Sequence, residues 1–332
     1  MRKPKNTHRW FLIILVLVVC PLNSSAINFN PVSLKGIGQA YGFILGQEYS
    51  LSRIQKEFPE LASDVELARL QFRATFPDIK TKLETQLTTT MGERNFQETA
   101  NSIRTKLRGN LGSQQMTKEI ALNFLSQVKT RSKGEIESPV LEYLLAVKYA
   151  PNPVGEFAGG FRQRYQTDGS GKSQGIKLNL QLPRSWVAQA GERPHIVQKW
   201  QSENGTGLEV IMLDIRDAEG YNPTKKEMEE FVRSGEVKET VPEGATLIDS
   251  GNFTLEMRTG YWSQINMPNE RAGMKFYQAA LTYQLFFRGK AIGLLCQVGG
   301  PENEKPKVNE AFKRIRPLCQ QVLNSLVLTQ AY

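Results

Sequence analysis

The hydrophobic period of this chain changes once, at Ile176. Ahead of that residue apolar side chains recur every three or four positions; behind it they alternate. A chain patterned this way builds helices first and strands second, without interleaving them, and so belongs to the α+β class. The expected order is an N-terminal all-α helical bundle over residues 27–150, a linker over 151–175, and an antiparallel β-sheet domain over 176–332 with helices packed on its faces.

In the first half, Leu61, Val65, Ala68, Phe72, Phe76, Ile79, Leu83 and Leu87 line one face of a helix that Pro77 kinks or divides. A second stripe (Phe96, Ala100, Ile103, Leu107) ends near Gly109. A third (Ile120, Phe124, Leu125, Val128) stops before Gly134, and a fourth runs from Val140 to just before Pro151. Upstream, Gly38, Gly42 and Gly46 lie four apart between Lys35 and Glu48, a stretch too short to span a bilayer. Their spacing is that of a glycine face, which lets a soluble helix approach its neighbour. This half matches no family pattern, and its mixed polar faces contain no catalytic constellation.

In the second half, Ile176, Leu178, Leu180 and Leu182 alternate with polar residues until Pro183 and Trp186 close the strand. Residues 195–201 and 208–215 form the next two strands, turning at Glu203-Asn204-Gly205. The run LEVIML within the second of these requires cover on both faces. Thr224 and Glu227 make a capping box ahead of Met228, Phe231 and Val232. Alternation returns over 245–249, 253–258 and 261–266, then in a long strand over 275–287. Arg288-Gly289-Lys290 turns that strand into 291–298, and a last helix carries Phe312, Ile315, Cys319, Val322 and Leu326.

The order strand, Pro-x-x-Trp, two strands, capped helix, meander and closing helix resembles the PsbP-like superfamily, as do the segments IKLNLQLPRSW, TLIDSGNFTLEMRTG and YQLFFRGKAIGLLC. That group includes DcrB-like envelope proteins, the extrinsic photosystem PsbP proteins and a Ran-binding factor. The resemblance spans residues 175–328 or so. It implies an antiparallel sheet with helices on its faces and a noncatalytic binding or assembly role. It transfers no functional residue to this chain.

Arg2, Lys3, Lys5 and Arg9 precede ten apolar residues, 11–20, then Pro21 and Asn23-Ser24-Ser25-Ala26. This is the pattern of a secretory signal peptide over residues 1–26, cut after Ala26, and it places the chain in the periplasm or outside the cell. An uncleaved leader would instead hold a structural protein peripherally at a membrane. Four of the positive charges behind the formal net charge of +9 sit in that leader, and no run of five like charges follows it. No nucleic-acid partner is therefore expected. Beyond the leader stand one histidine, His195, and two cysteines, Cys296 and Cys319, too few for a zinc site. No metal and no cofactor are expected. The cysteines face one sheet–helix interface, either as a disulfide enclosing 22 residues or as two reduced, buried side chains.

Residues 151–175 hold two motif fragments. GSGKS lacks the first glycine of a phosphate loop, because Gln166 stands there. Gly171-Lys172-Ser173-Gln174-Gly175 matches GxSxG, so a serine hydrolase using Ser173 and His195 is the alternative reading, although no helix follows the serine. Arg258, Tyr261 and Trp262, beside an expected turn at Thr259-Gly260, are candidates for binding a partner at the sheet rim. The resulting expectation is an exported, noncatalytic binding or assembly protein with an envelope protein as partner.

Overall fold

The computed structural model describes residues 31–271 and 273–332. The expected signal peptide lies outside them. The described chain falls into two compact units, one ending at Pro151 and one running over Asn152–Tyr332.

The first unit is built of α1 (Pro31–Glu57), α2 (Ala62–Thr75), α3 (Ile79–Met91), α4 (Glu93–Gly112), α5 (Lys118–Arg131) and α6 (Val140–Tyr149). Pro77 divides α2 from α3, and Asp78 takes a left-handed φ of 53° where the chain resumes. The long α1 packs against all five of the others. It buries Ile37, Tyr41, Ile44, Leu51 and Ile54. The Tyr41 hydroxyl donates to Glu84 at 2.9 Å, and burial with that carboxylate pushes its pKa up to about 12. Arg53 of α1 reaches the carbonyls of Leu111 and Gln114, so the C-terminal end of α4 finds donors for its free acceptors.

Two helical details differ from the sequence reading. The close approach of α1 is made at Gly36, where any side chain would collide with the ring of Tyr143 in α6. Gly42 and Gly46 face Ile103 and Leu107 of α4 at ordinary contact distance, and Gly38 faces open space. In α5 the buried stripe is Ala121, Leu125 and Val128, which leaves Ile120 48% exposed. That stripe starts one residue later than the expected one, with Ala121 buried in place of Ile120.

The second unit holds α7 (Pro153–Ala158), α8 (Lys225–Arg233), α9 (Lys305–Asn324) and ten strands. The strands are β1 (Arg162–Gln166), β2 (Leu178–Pro183), β3 (Val187–Ala190), β4 (Ile196–Gln201), β5 (Glu209–Asp217), β6 (Thr246–Leu255), β7 (Arg258–Arg271), β8 (Met274–Phe287), β9 (Lys290–Pro301) and β10 (Val327–Leu328). Every pairing is antiparallel, in a small sheet β1-β2-β10 and a large one β3-β4-β5-β9-β8-β7-β6. The capping box at Thr224 and Glu227 is formed as expected.

One core layer joins Leu178, Leu180 and Leu182 to Leu281, Leu294, Ile315 and Val322, with α9 packed on β8, β9 and β2. The opposite face of the large sheet buries Val210, Met212, Ile265 and Leu295, and Tyr261 and Phe286 beneath Met228 and Phe231 of α8. The LEVIML strand is therefore covered on both sides, which is why it carries almost no polar residue.

Of the segment 151–175, expected as a linker, residues 152–175 are part of the sheet unit. The side chain of Asn152 caps α7 by accepting from the Gly155 amide, and β1 pairs along β2. Glu156, only 1% exposed, accepts from both the backbone N–H and the hydroxyl of Ser185 at 2.7 Å. The Arg162 guanidinium donates to the Phe157 carbonyl at 2.7 Å and lies over the Phe157 ring. The apparent lack of pattern has a physical cause: β1 is an edge strand with one covered face, so polar residues satisfy it.

In place of separate strands over 245–249 and 253–258 there is one strand, β6, ending at Leu255, with a bulge between Leu247 and Asp249. The following hairpin turns at Glu256-Met257, both left-handed at φ 51° and 59°, rather than at Thr259-Gly260. Two successive positive-φ residues match the twist of the flanking strands, and that geometry overrides the preference for glycine.

Candidate functional site

Gly171–Ser173 is a single 3₁₀ turn entering β2, so the GxSxG match lacks the strand–turn–helix that exposes a nucleophile. Ser173 is 3% exposed and its hydroxyl donates to the Ser170 carbonyl at 2.6 Å. Lys172 is bonded to the carbonyl of Gly191. His195 stands just ahead of β4. Desolvation first, and then the charges of Arg216, Arg193 and Lys172, lower its pKa to about 4. An imidazole so disfavoured as a cation is a poor proton acceptor.

His195 therefore titrates well below an ordinary histidine. The imidazole proton shifts of full-length protein should show a midpoint near 4. Folding favours the neutral ring, so its contribution to stability is complete above the free-histidine pKa of 6.5 and is lost as pH falls towards 4. The variant His195→Gln should lose that slope. A midpoint near 6.5 in the folded protein would contradict this placement.

Because the hairpin turns at 256–257, Arg258 opens β7 beside the turn, whereas Tyr261 and Trp262 lie inside the strand. Tyr261 points beneath α8, is 2% exposed, and meets the Phe231 ring edge-on at 5.1 Å. Its hydroxyl is bonded to Thr240, and burial pushes its pKa above the usual range. Tyr261 is thus a core residue and not a recognition anchor.

Trp262 points the other way. It is half-buried, and its indole lies over Gly251, where a side chain would strike the ring. The Arg316 guanidinium of α9 sits 5.9 Å from the Trp262 ring. Arg258 stacks over Phe287 at 4.4 Å, with Arg288 at 5.3 Å from the same ring. Phe253 covers Gly260 and meets Tyr283 edge-on at 5.5 Å. Phe253, Leu255 and Trp262 remain only partly buried. Aromatic rings beneath guanidiniums make a surface that is both apolar and cationic. Phe253, Arg288 and Arg316 escaped the sequence reading. Phe253 lies opposite Gly260 in the register and Arg316 follows the buried Ile315 in the last helix, placements that only the folded chain reveals.

Elsewhere, Asp214 is buried with its carboxyl raised by desolvation and is held by Arg216 at 2.9 Å. Among the described residues no group of three or more His, Cys, Asp or Glu could hold a metal ion, and no helix is long and apolar enough to cross a membrane. Cys296 of β9 and Cys319 of α9 are joined in a disulfide, with Cα atoms 6.2 Å apart.

The class defined by this architecture is an α+β chain whose strand-rich half is an antiparallel sheet with helices on its faces, and solved structures of PsbP-like fold are similar to it. The solution structure of cyanobacterial PsbP (CyanoP) from Synechocystis is 14% identical with a TM-score of 0.30, covering 50% of this chain and 92% of that one. The Ran-binding protein Mog1p of Saccharomyces cerevisiae is 8% identical with a TM-score of 0.34, covering 52% and 98%. LpqN of Mycobacterium tuberculosis, described as involved in cell envelope biogenesis, is 16% identical with a TM-score of 0.28, covering 51% and 93%. No family model and no curated protein matches the chain. The likeness is one of fold and carries no argument about function.

Proposed function

We propose that the chain is an exported, noncatalytic binding or assembly protein that meets an envelope protein through the Arg258–Trp262 face of its sheet unit. The observation that supports this most is the partly uncovered row of Phe253, Leu255 and Trp262, with the Arg316 guanidinium over Trp262 and those of Arg258 and Arg288 over Phe287 of the same cluster. Arginine and tryptophan are the residue types that concentrate binding energy in protein interfaces. The basic, apolar and small-residue order of residues 1–26 supports export, and the Cys296–Cys319 disulfide suits an oxidising compartment.

In-cell crosslinking followed by mass spectrometry tests the reading. Wild-type protein should recover the same few envelope proteins in repeated experiments, and the Arg258→Ser/Trp262→Ala variant should lose them at equal abundance. A repeated blank, or recovery unchanged by the variant, would overturn the proposal. The intact mass should correspond to a chain beginning at Ile27; a full-length mass would overturn the export step.

A further inference from the structure

We infer that the partner supplies an acidic, extended segment that adds to the outer edge of β6 as a further strand; this rests on the Arg258–Trp262 face being a contact surface. β6 ends the seven-stranded sheet, and among the described residues no strand pairs its outer edge. Natural edge strands are usually protected by lysine, proline, bulges or brevity. The ten residues of β6, TLIDSGNFTL, contain no lysine and no proline. Its bulge falls between Leu247 and Asp249, so residues 250–255 stay in regular register with β7. Main-chain pairing along such an edge would supply affinity, and alternate side chains would supply specificity.

The two faces flanking that edge differ. On the α8 side, Asn252 is tied to the Met228 carbonyl at 3.0 Å. On the other side, Gly251, Phe253 and Leu255 lead onto Trp262 and the arginines. Among the described residues none of Arg258, Arg288 and Arg316 is in an ion pair. Arg258 and Arg288 donate to the carbonyls of Glu256 and Gln330. Two carboxylates lie nearby. Glu256 is engaged with the Tyr332 hydroxyl, and Asp249 accepts from the Ser250 amide at the far end of β6. Three cations against two occupied anions leave the face positive. A segment bearing alternate carboxylates complements it. Arg258 and Trp262, above which Arg316 lies, are four residues apart on β7, a span of about 13 Å along a strand. The Arg258 guanidinium leans towards Phe287 of β8, so carboxylates four residues apart on the added strand would be drawn to both positions by the positive field of the face rather than by contact with Arg258.

The probe is a labelled synthetic decapeptide of alternating Val and Thr with two glutamates four residues apart, together with its lysine analogue. Full-length protein should bind the glutamate peptide by fluorescence anisotropy, with affinity falling as salt rises. Hydrogen exchange should slow in residues 246–255. The Arg258→Gln/Arg316→Gln variant should bind at least tenfold more weakly. Arg316→Glu changes only an exposed helix position, so it should weaken binding while unfolding at the wild-type temperature. No binding, equal binding of the lysine peptide, or binding without slowed exchange in β6 would each overturn the inference. If crosslinking still recovers an Arg258-dependent partner, the contact face stands and only the acidic strand falls. If it recovers none, both fall.

Discussion

Protein carrying Cys296→Ala and Cys319→Ala together is expected to lose about 3 kcal/mol of stability in its sheet unit, by the chain-entropy model for a loop of this size. The two half-cystines are 23 residues apart in sequence and both fully buried, one on a central strand and one on the helix covering it. Crosslinking them limits the unfolded chain, and the native core already holds both side chains in place. The described tryptophans, Trp186, Trp200 and Trp262, all belong to the sheet unit. In protein cut after Ala26, which lacks Trp10, urea unfolding followed by their fluorescence therefore reads this unit and not the helical one. The midpoint should fall with the slope unchanged. Native protein should show neither thiol to a labelling reagent before reduction. A loss below about 1 kcal/mol would mean the bond does not restrain the unfolded chain as the loop-entropy account requires.

The second large effect is expected at Glu156→Ala. Its carboxylate is buried and holds two donors of Ser185, one of them a backbone N–H. Removing it strips the charged partner from buried donors, with a cost of about 3 kcal/mol. Glu156→Gln keeps an oxygen facing the Ser185 amide and should lose less. The same tryptophan-monitored unfolding measures both variants. Unchanged stability in the alanine variant would mean that the segment after Pro151 is a loose connection after all.

Much of this architecture was legible because its causes are local. Pro77 cannot continue a helix, Thr224 with Glu227 closes a cap, and Arg288-Gly289 must turn a hairpin. The covered strand 209–217 declared itself by an apolar run too long for a one-sided strand. The elements that escaped are those fixed by tertiary partners. β1, β3 and β10 are short or polar, and their residues become strands only by pairing with β2 and β4. The turn at Glu256-Met257 has no glycine, so the pattern pointed instead to Thr259-Gly260 and moved Tyr261 to a rim it does not occupy. Alternation alone assigns Tyr261 and Trp262 to opposite faces but cannot say which face α8 covers.

Of the contact face, Arg258 and Trp262 were visible as residue types beside a turn. Arg316 and Phe253 join them only through folding, across 54 residues in one case and a hairpin register in the other. Gly260 and Gly251 are the counterparts of the rings that lie over them, a pairing that no linear spacing reveals.

The most direct test is positional. A photoreactive amino acid is placed at Met257, which is 96% exposed at the tip of the β6–β7 hairpin, or at Ile248 on β6, and for comparison at the exposed Glu219 on the β5–α8 connection. Irradiation in cells should give a discrete protein adduct from the first two sites and none from the third, and Arg258→Ser should abolish it. Adducts absent from both β6-side positions, or identical from all three, would contradict the account.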